Sequence, residues 1–190
     1  MTDANAESSD LGALPEWDLT DLYPAPDSAE LAADLTHVDG EAKAFRKRYK
    51  DKLSGLDGAA FGAAIAEYEA IDETMGRVMS YAHLVYAGNV SDPDTGRFYQ
   101  TMQEKITAIS AEILFFALEI NTLDDKDISR KSAAEQTGHY APWLRDTRTR
   151  RAYQLDEALE RLLHEKRVAG RAAWNRLFDE TMADLRFPFG

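Results

Sequence analysis

The sequence predicts an all-α fold: a helical domain with a long antiparallel helical hairpin followed by shorter helices. Three observations predict it. Apolar residues recur at three- and four-residue steps through two long stretches. Asp, Ser and Pro stand where these stretches begin, and Gly or Asn where they end. Alternation of period two is confined to Phe187 and Phe189 in the final RFPFG, which reads as the start of a strand with no partner to follow.

Residues 1 to 13 are small, polar and acidic, and read as a disordered acidic tail. LPEWDLTDLYPAP follows, with three prolines. Its Trp17, Leu19, Leu22 and Tyr23 are expected to pin an extended segment to a core. Asp27 and Glu30 form a candidate capping box for a helix running to about Leu53, with Leu31, Leu35, Val38, Ala42, Phe45 and Tyr49 on one face. Gly40 weakens that helix, and Ser54-Gly55 is expected to end it as a glycine cap.

Asp57 is placed to cap a second helix whose stripe is Phe61, Ile65, Tyr68, Ile71, Met75, Val78, Ala82 and Val85, stopped by Gly88 and Asn89. Asp92-Pro93 opens a third, with Met102, Ile106, Ile109, Ile113, Phe116 and Ile120 alternating four and three apart as a heptad-like seam. Two long helices joined by a short turn pack antiparallel, so residues 58 to 121 are predicted to form a hairpin. Its Met and aromatic residues read as core packing, not as a cofactor box.

Shorter helices complete the chain. One starts at Asp124 or Asp127 and runs to Thr137, and one spans about 142 to 149 from Pro142. Asp156 begins a third, through about Val168, with Leu159, Leu162 and Leu163 facing in. The last starts near Gly170 and is expected to bury Ala173, Trp174, Leu177, Phe178, Met182 and Leu185.

With 190 residues the chain is long enough for one domain with a real core. A formal net charge of -12 argues against nucleic acid and against anionic membranes as partners. The basic run Arg145 to Arg151 is the local exception and reads as a solvated face or as ion-pair partners for acidic neighbours. No cysteine is present, which removes disulfides, thiol nucleophiles and thiolate zinc sites and fits a cytoplasmic setting. The first residues lack the basic and apolar regions of a secretory leader. The apolar stretch Ile113 to Leu118 is too short to cross a bilayer. Asn89-Val90-Ser91 matches a glycosylation sequon, which carries little weight without such a leader.

Chemistry-bearing motifs are sparse. The histidines are His37, His83, His139 and His164, with no pair one helical turn apart. His164-Glu165 begins the zinc-protease pattern H-E-x-x-H, but Val168 stands where the second ligand belongs. His164 and Glu165 therefore read as polar helix surface. Glu67 with Glu69, and Glu157 with Glu160, are the carboxylate pairs that any Glu-rich helix produces. Tyr81, Tyr86, Tyr99, Tyr140 and Tyr153 are scattered and read as residues bridging core and surface. No phosphate-binding glycine loop, nucleophile elbow or solenoid repeat occurs. No residue is assigned a catalytic, cofactor-binding or metal role.

Three segments carry a resemblance. WDLTDLYP resembles the W-D-L-x-D-L-Y opening of oligoendopeptidase F and its relatives, and DETMGRVMSYAHLVYAGNVSDP follows in the same order. ERLLHEKRVAGRAAWNRLFDE looks like that family's acidic-Leu-Leu helix leading through a small-residue turn into A-W-x-x-L. The resemblance implies the N-terminal helical domain, over residues 14 to 190, of a longer cytoplasmic zinc metallopeptidase that cleaves short peptides. It implies a mostly helical bowl with a deep channel. Zinc is held in the C-terminal part by H-E-x-x-H and a further glutamate, none of which this chain contains. On that reading the chain is one wall of the channel, inactive alone, and its partners are the catalytic domain of the same polypeptide and short peptides. The abrupt RFPFG ending reads as a cut, leaving an apolar patch with Phe187, Phe189 and Trp174 and making a homodimer of the isolated chain plausible. The rival reading is a stand-alone helical interaction module.

Overall fold

The computed structural model describes residues 16–188, and these form helices joined by turns and short irregular links, with no strand among them. The expected tail over residues 1 to 13, the first two residues of the LPEW segment and Phe189 lie outside them. Phe187 sits in irregular backbone after the last helix, not in a strand. Among the described residues no helix is by itself long and apolar enough to cross a membrane.

Of the residues expected to pin the opening segment, Tyr23 is the anchor. It is 2% exposed, donates its hydroxyl to Asp34 Oδ2 at 2.6 Å and meets the Tyr81 ring edge-on at 5.3 Å. Trp17, expected inside, is exposed. Asp18 folds the backbone behind it into a local turn by accepting from the Thr20 amide and hydroxyl at 3.0 and 2.6 Å.

α1 spans Ala29–Tyr49. Its cap is Ser28, not Asp27: the hydroxyl accepts from the Leu31 amide at 3.3 Å, which leaves Glu30 in the first turn and out of capping-box register. Its end also departs from expectation, stopping at Tyr49 instead of Leu53. Asp51 takes a left-handed φ of 63°. The Glu119 carboxylate, arriving from α3, accepts the amides of Asp51 and Leu53 at 2.9 and 2.8 Å. A tertiary contact thus ends the helix, and Ser54-Gly55 falls in a short 3-10 turn beyond it.

α2 (Gly58–Gly88) and α3 (Pro93–Thr122) form the expected hairpin. Asp57 Oδ1 accepts from the Ala60 amide at 2.8 Å, and Asp92 Oδ1 from the Asp94 amide at 2.8 Å, with Pro93 at the first helical position. All six residues of the α3 seam are buried. α1 lies against both hairpin helices, and Phe45 meets Phe116 edge-on at 5.0 Å at the centre of the core. Met75 and Met102 are buried there as packing residues.

The helix expected from Asp124 to Thr137 is two pieces, α4 (Asp125–Ser132) and α5 (Glu135–Gly138). The break lets Thr137 reach α2, where its buried hydroxyl donates to the Gly58 carbonyl at 2.6 Å. Lys131, 1% exposed, donates to the carbonyls of Ser54 and Leu56 in the α1–α2 link. α6 (Ala141–Arg148) buries Leu144. Arg148 donates to the Ile120 and Leu123 carbonyls at 2.7 and 3.0 Å, capping the end of α3, and it and Arg151 pair with Asp125. The basic run is therefore partly consumed inside the fold.

Candidate functional site

α7 (Glu157–Lys166) and α8 (Ala173–Asp184) meet at a corner over residues 168–172, where the backbone forms a π-type turn with a kink at Gly170. The Ala172 amide bonds the Arg167 carbonyl at 3.1 Å, one residue wider than α-helical register. Asp156 Oδ1 caps α7 through the Leu159 amide at 3.0 Å, as the sequence predicts.

The orientation of both helices reverses the prediction. Leu159, Leu162 and Leu163 of α7 face solvent, as do Trp174, Leu177, Phe178 and Met182 of α8 and Leu185 beyond it. The polar sides lie against the hairpin. Glu157 pairs with Arg46 of α1 and with Lys50 just beyond its end, and the Lys50 bond foremost holds its carboxyl below the usual range. Arg161 pairs with Glu112 at 3.3 Å, and His164 Nε2 meets Ser110 Oγ at 2.8 Å. The reason lies in α3, whose apolar seam is already buried. The side left for α7 carries Thr107, Ser110 and Glu112, which give leucines nothing to bury against. His164 is accordingly half-buried and bonded, not free helix surface, while Glu165 remains outside, paired to Arg161 at 2.9 Å. Every large exposed apolar side chain among the described residues, Trp17 excepted, falls between Tyr153 and Phe187.

Behind the corner lies a cavity of about 440 Å³ between the hairpin and the polar sides of α7 and α8. His83, His164, Tyr86 and Tyr99, dispersed in sequence, all line it, with Tyr86 and Tyr99 stacked at 5.1 Å. Arg167, Arg171 and Arg176 line it too, against one lining carboxylate, Asp179. Tyr86 is 3% exposed and its hydroxyl has no partner among the described residues. Burial first, then nearby Glu180 and Asp179, push that phenol's pKa up, so it stays a proton donor. Sequence reasoning missed the arginines. The available signal was the spacing of Arg167 and Arg171 at i, i+4 beside the small-residue turn.

The remaining candidates disperse into structural work. His37 and His139 are exposed on separate elements. Glu67 accepts from Tyr49 and Glu69 from Tyr140, at 2.7 and 2.8 Å, so they point to different neighbours. Glu160 accepts the Leu155 amide at 2.9 Å. Tyr81 is core and Tyr153 is exposed. No group of three or more His, Asp or Glu side chains among the described residues converges as a metal set. The lining of the cavity does not fit zinc: His83 and His164 are joined there by one carboxylate and three cations, which repel a dication.

Residues 119–187 match the family model described as oligopeptidase F. Over that segment, which is less than half of the chain, the protein is similar to that family. The oligopeptidase F span begins with the last turn of α3 and includes α4 to α8, the kinked corner and the outward apolar side chains. It contains ERLLHEKRVAGRAAWNRLFDE but not WDLTDLYP. No curated protein and no solved structure matches the chain.

Proposed function

We propose that this chain is the N-terminal helical lobe of an oligopeptidase F-type zinc metallopeptidase acting on short peptides in the cytoplasm, and that it forms a wall of the substrate channel without cleaving bonds itself. One observation carries the reading: the apolar sides of α7 and α8 face outward inside the very span that matches the oligopeptidase F model. A helix whose leucines face water while its charges face a hairpin has its apolar partner elsewhere. On this proposal that partner is the catalytic part of the same polypeptide, which supplies H-E-x-x-H and the zinc. The lobe contributes exclusion and positioning, which restrict entry to short, flexible peptides.

The test is hydrolysis of a quenched fluorogenic oligopeptide in the presence of Zn²⁺. The chain alone is expected to give no turnover, and the polypeptide encoded by the reading frame continued past codon 190 to give chelator-sensitive turnover. Chelator-sensitive cleavage by the chain alone, or a stop codon directly after Gly190, overturns the proposal. The stop codon would favour a stand-alone module whose exposed face binds another protein.

A further inference from the structure

The cavity behind the corner gathers features that the core does not explain. Arg167 and Arg171 have no ion-pair partner among the described residues, although the protein carries a net charge of -12. Arg176 is engaged with Glu180 at 3.5 Å. These two guanidinium groups stand on either side of the Gly170 kink on one cavity wall and together offer a fork for an anionic group. The volume lies within the range of small-molecule sites, roughly 300–1,000 Å³.

The shape of the charge narrows the ligand. Asp179 is the lining carboxylate, and it lies eight residues beyond Arg171, roughly 12 Å at 1.5 Å per residue. A highly charged anion such as a nucleotide triphosphate would meet it, whereas a single carboxylate seated at Arg167 and Arg171 would not. The stacked rings of Tyr86 and Tyr99, with Met79 and Ile106, supply an apolar and aromatic wall beside the charge.

We propose that this cavity binds the free C-terminal carboxylate of a short peptide, with Arg167 and Arg171 as its charge partners and the Tyr86–Tyr99 wall against the last side chain. The choice of a peptide over another carboxylate rests on the proposed function; the arginine fork does not.

Calorimetric titration of the chain tests this with a tripeptide ending in phenylalanine, the same tripeptide as its C-terminal amide, and acetate. The free acid is expected to bind at least about tenfold more tightly than the amide, the scale of a charge-assisted hydrogen bond. The double substitution Arg167→Gln with Arg171→Gln is expected to abolish that preference. Both arginines are exposed, so the variant keeps its fold, which circular dichroism verifies. Equal binding of acid and amide, no binding of either, or an undiminished preference in the double variant overturns the site. Acetate binding as tightly as the free acid overturns the peptide as ligand while the fork stands. Catalytic inactivity of the continued polypeptide would sink the proposed function and leave the acid-over-amide preference untouched, so the two failures are distinguishable.

Discussion

At the scale of single residues, the fold depends on places where a side chain is absent. α2 meets α5 so closely at Gly62 that an added Cβ would lie 2.6 Å from the Gln136 carbonyl carbon. Gly62→Ala is therefore expected to destabilise the protein by about 1–3 kcal/mol, because backbone cannot yield as a flexible side-chain end can. Gly40, exposed within α1, has nothing within 4 Å of the same position. Gly40→Ala is expected to stabilise by about 0.5–1 kcal/mol through helix propensity. Urea unfolding of the two variants distinguishes these opposite signs. The sequence marks Gly40 as a weak point, since a glycine inside a helical pattern is visible from its neighbours. It is silent about Gly62, because the approach of Gln136 is made across 74 residues of chain. Glu119 teaches the same point: its capping of the α1–α2 link ended a helix four residues before propensity would have.

At the scale of elements, α7 and α8 differ from the rest. Their periodicity was legible, and so was the Asp156 cap that opens α7, because caps and apolar spacing are local properties, whereas α7 stops at Lys166 and α8 begins only at Ala173, past the kinked corner. Which side faces inward was not, because an amphipathic helix offers both sides and the neighbour decides. The expectation that leucines face the domain assumes an apolar surface opposite them, and α3 presents Thr107, Ser110 and Glu112 instead. Replacing Leu163 and Phe178 by Gln is accordingly expected to change the unfolding free energy of the isolated chain by no more than about 0.5 kcal/mol each. Leu144→Ala, at 2% exposure, is expected to cost about 2–5 kcal/mol. The same Gln substitutions are expected to suppress concentration-dependent dimers of the unmodified chain in light scattering. A monomer at all concentrations before substitution would count against an apolar face in search of a partner.

For the whole molecule, the joints between elements respond to alkaline pH. Tyr23 ties the opening segment to α1 and α2, and Tyr68 of α2 stacks on Phe116 of α3 and lies beside Phe45 and Trp143. Burial, foremost, pushes both phenols up from 10.0 to about 12. Below pH 10 both the folded and unfolded chains hold these protons, and the full stability is present. Between pH 10 and about 12 the unfolded chain ionises first, so stability is lost as pH rises. Tyrosinate absorbance is expected to show these two of the eight tyrosines ionising only as helical circular dichroism is lost. Complete ionisation with the helical signal intact would contradict their burial at the joints.

Local chemistry in the sequence determined the all-α class, the hairpin, its caps at Asp57 and Asp92, and the segment shared with oligopeptidase F, because propensity, capping and apolar period are written within a few neighbouring residues. Only the tertiary structure decided where α1 stops, why the helix after Asp124 breaks, which side of α7 and α8 meets water, and that His83, Tyr86, His164 and two unpaired arginines surround one cavity. Each of those depends on what a distant part of the chain presents, and no periodicity within a segment encodes the surface that will be packed against it.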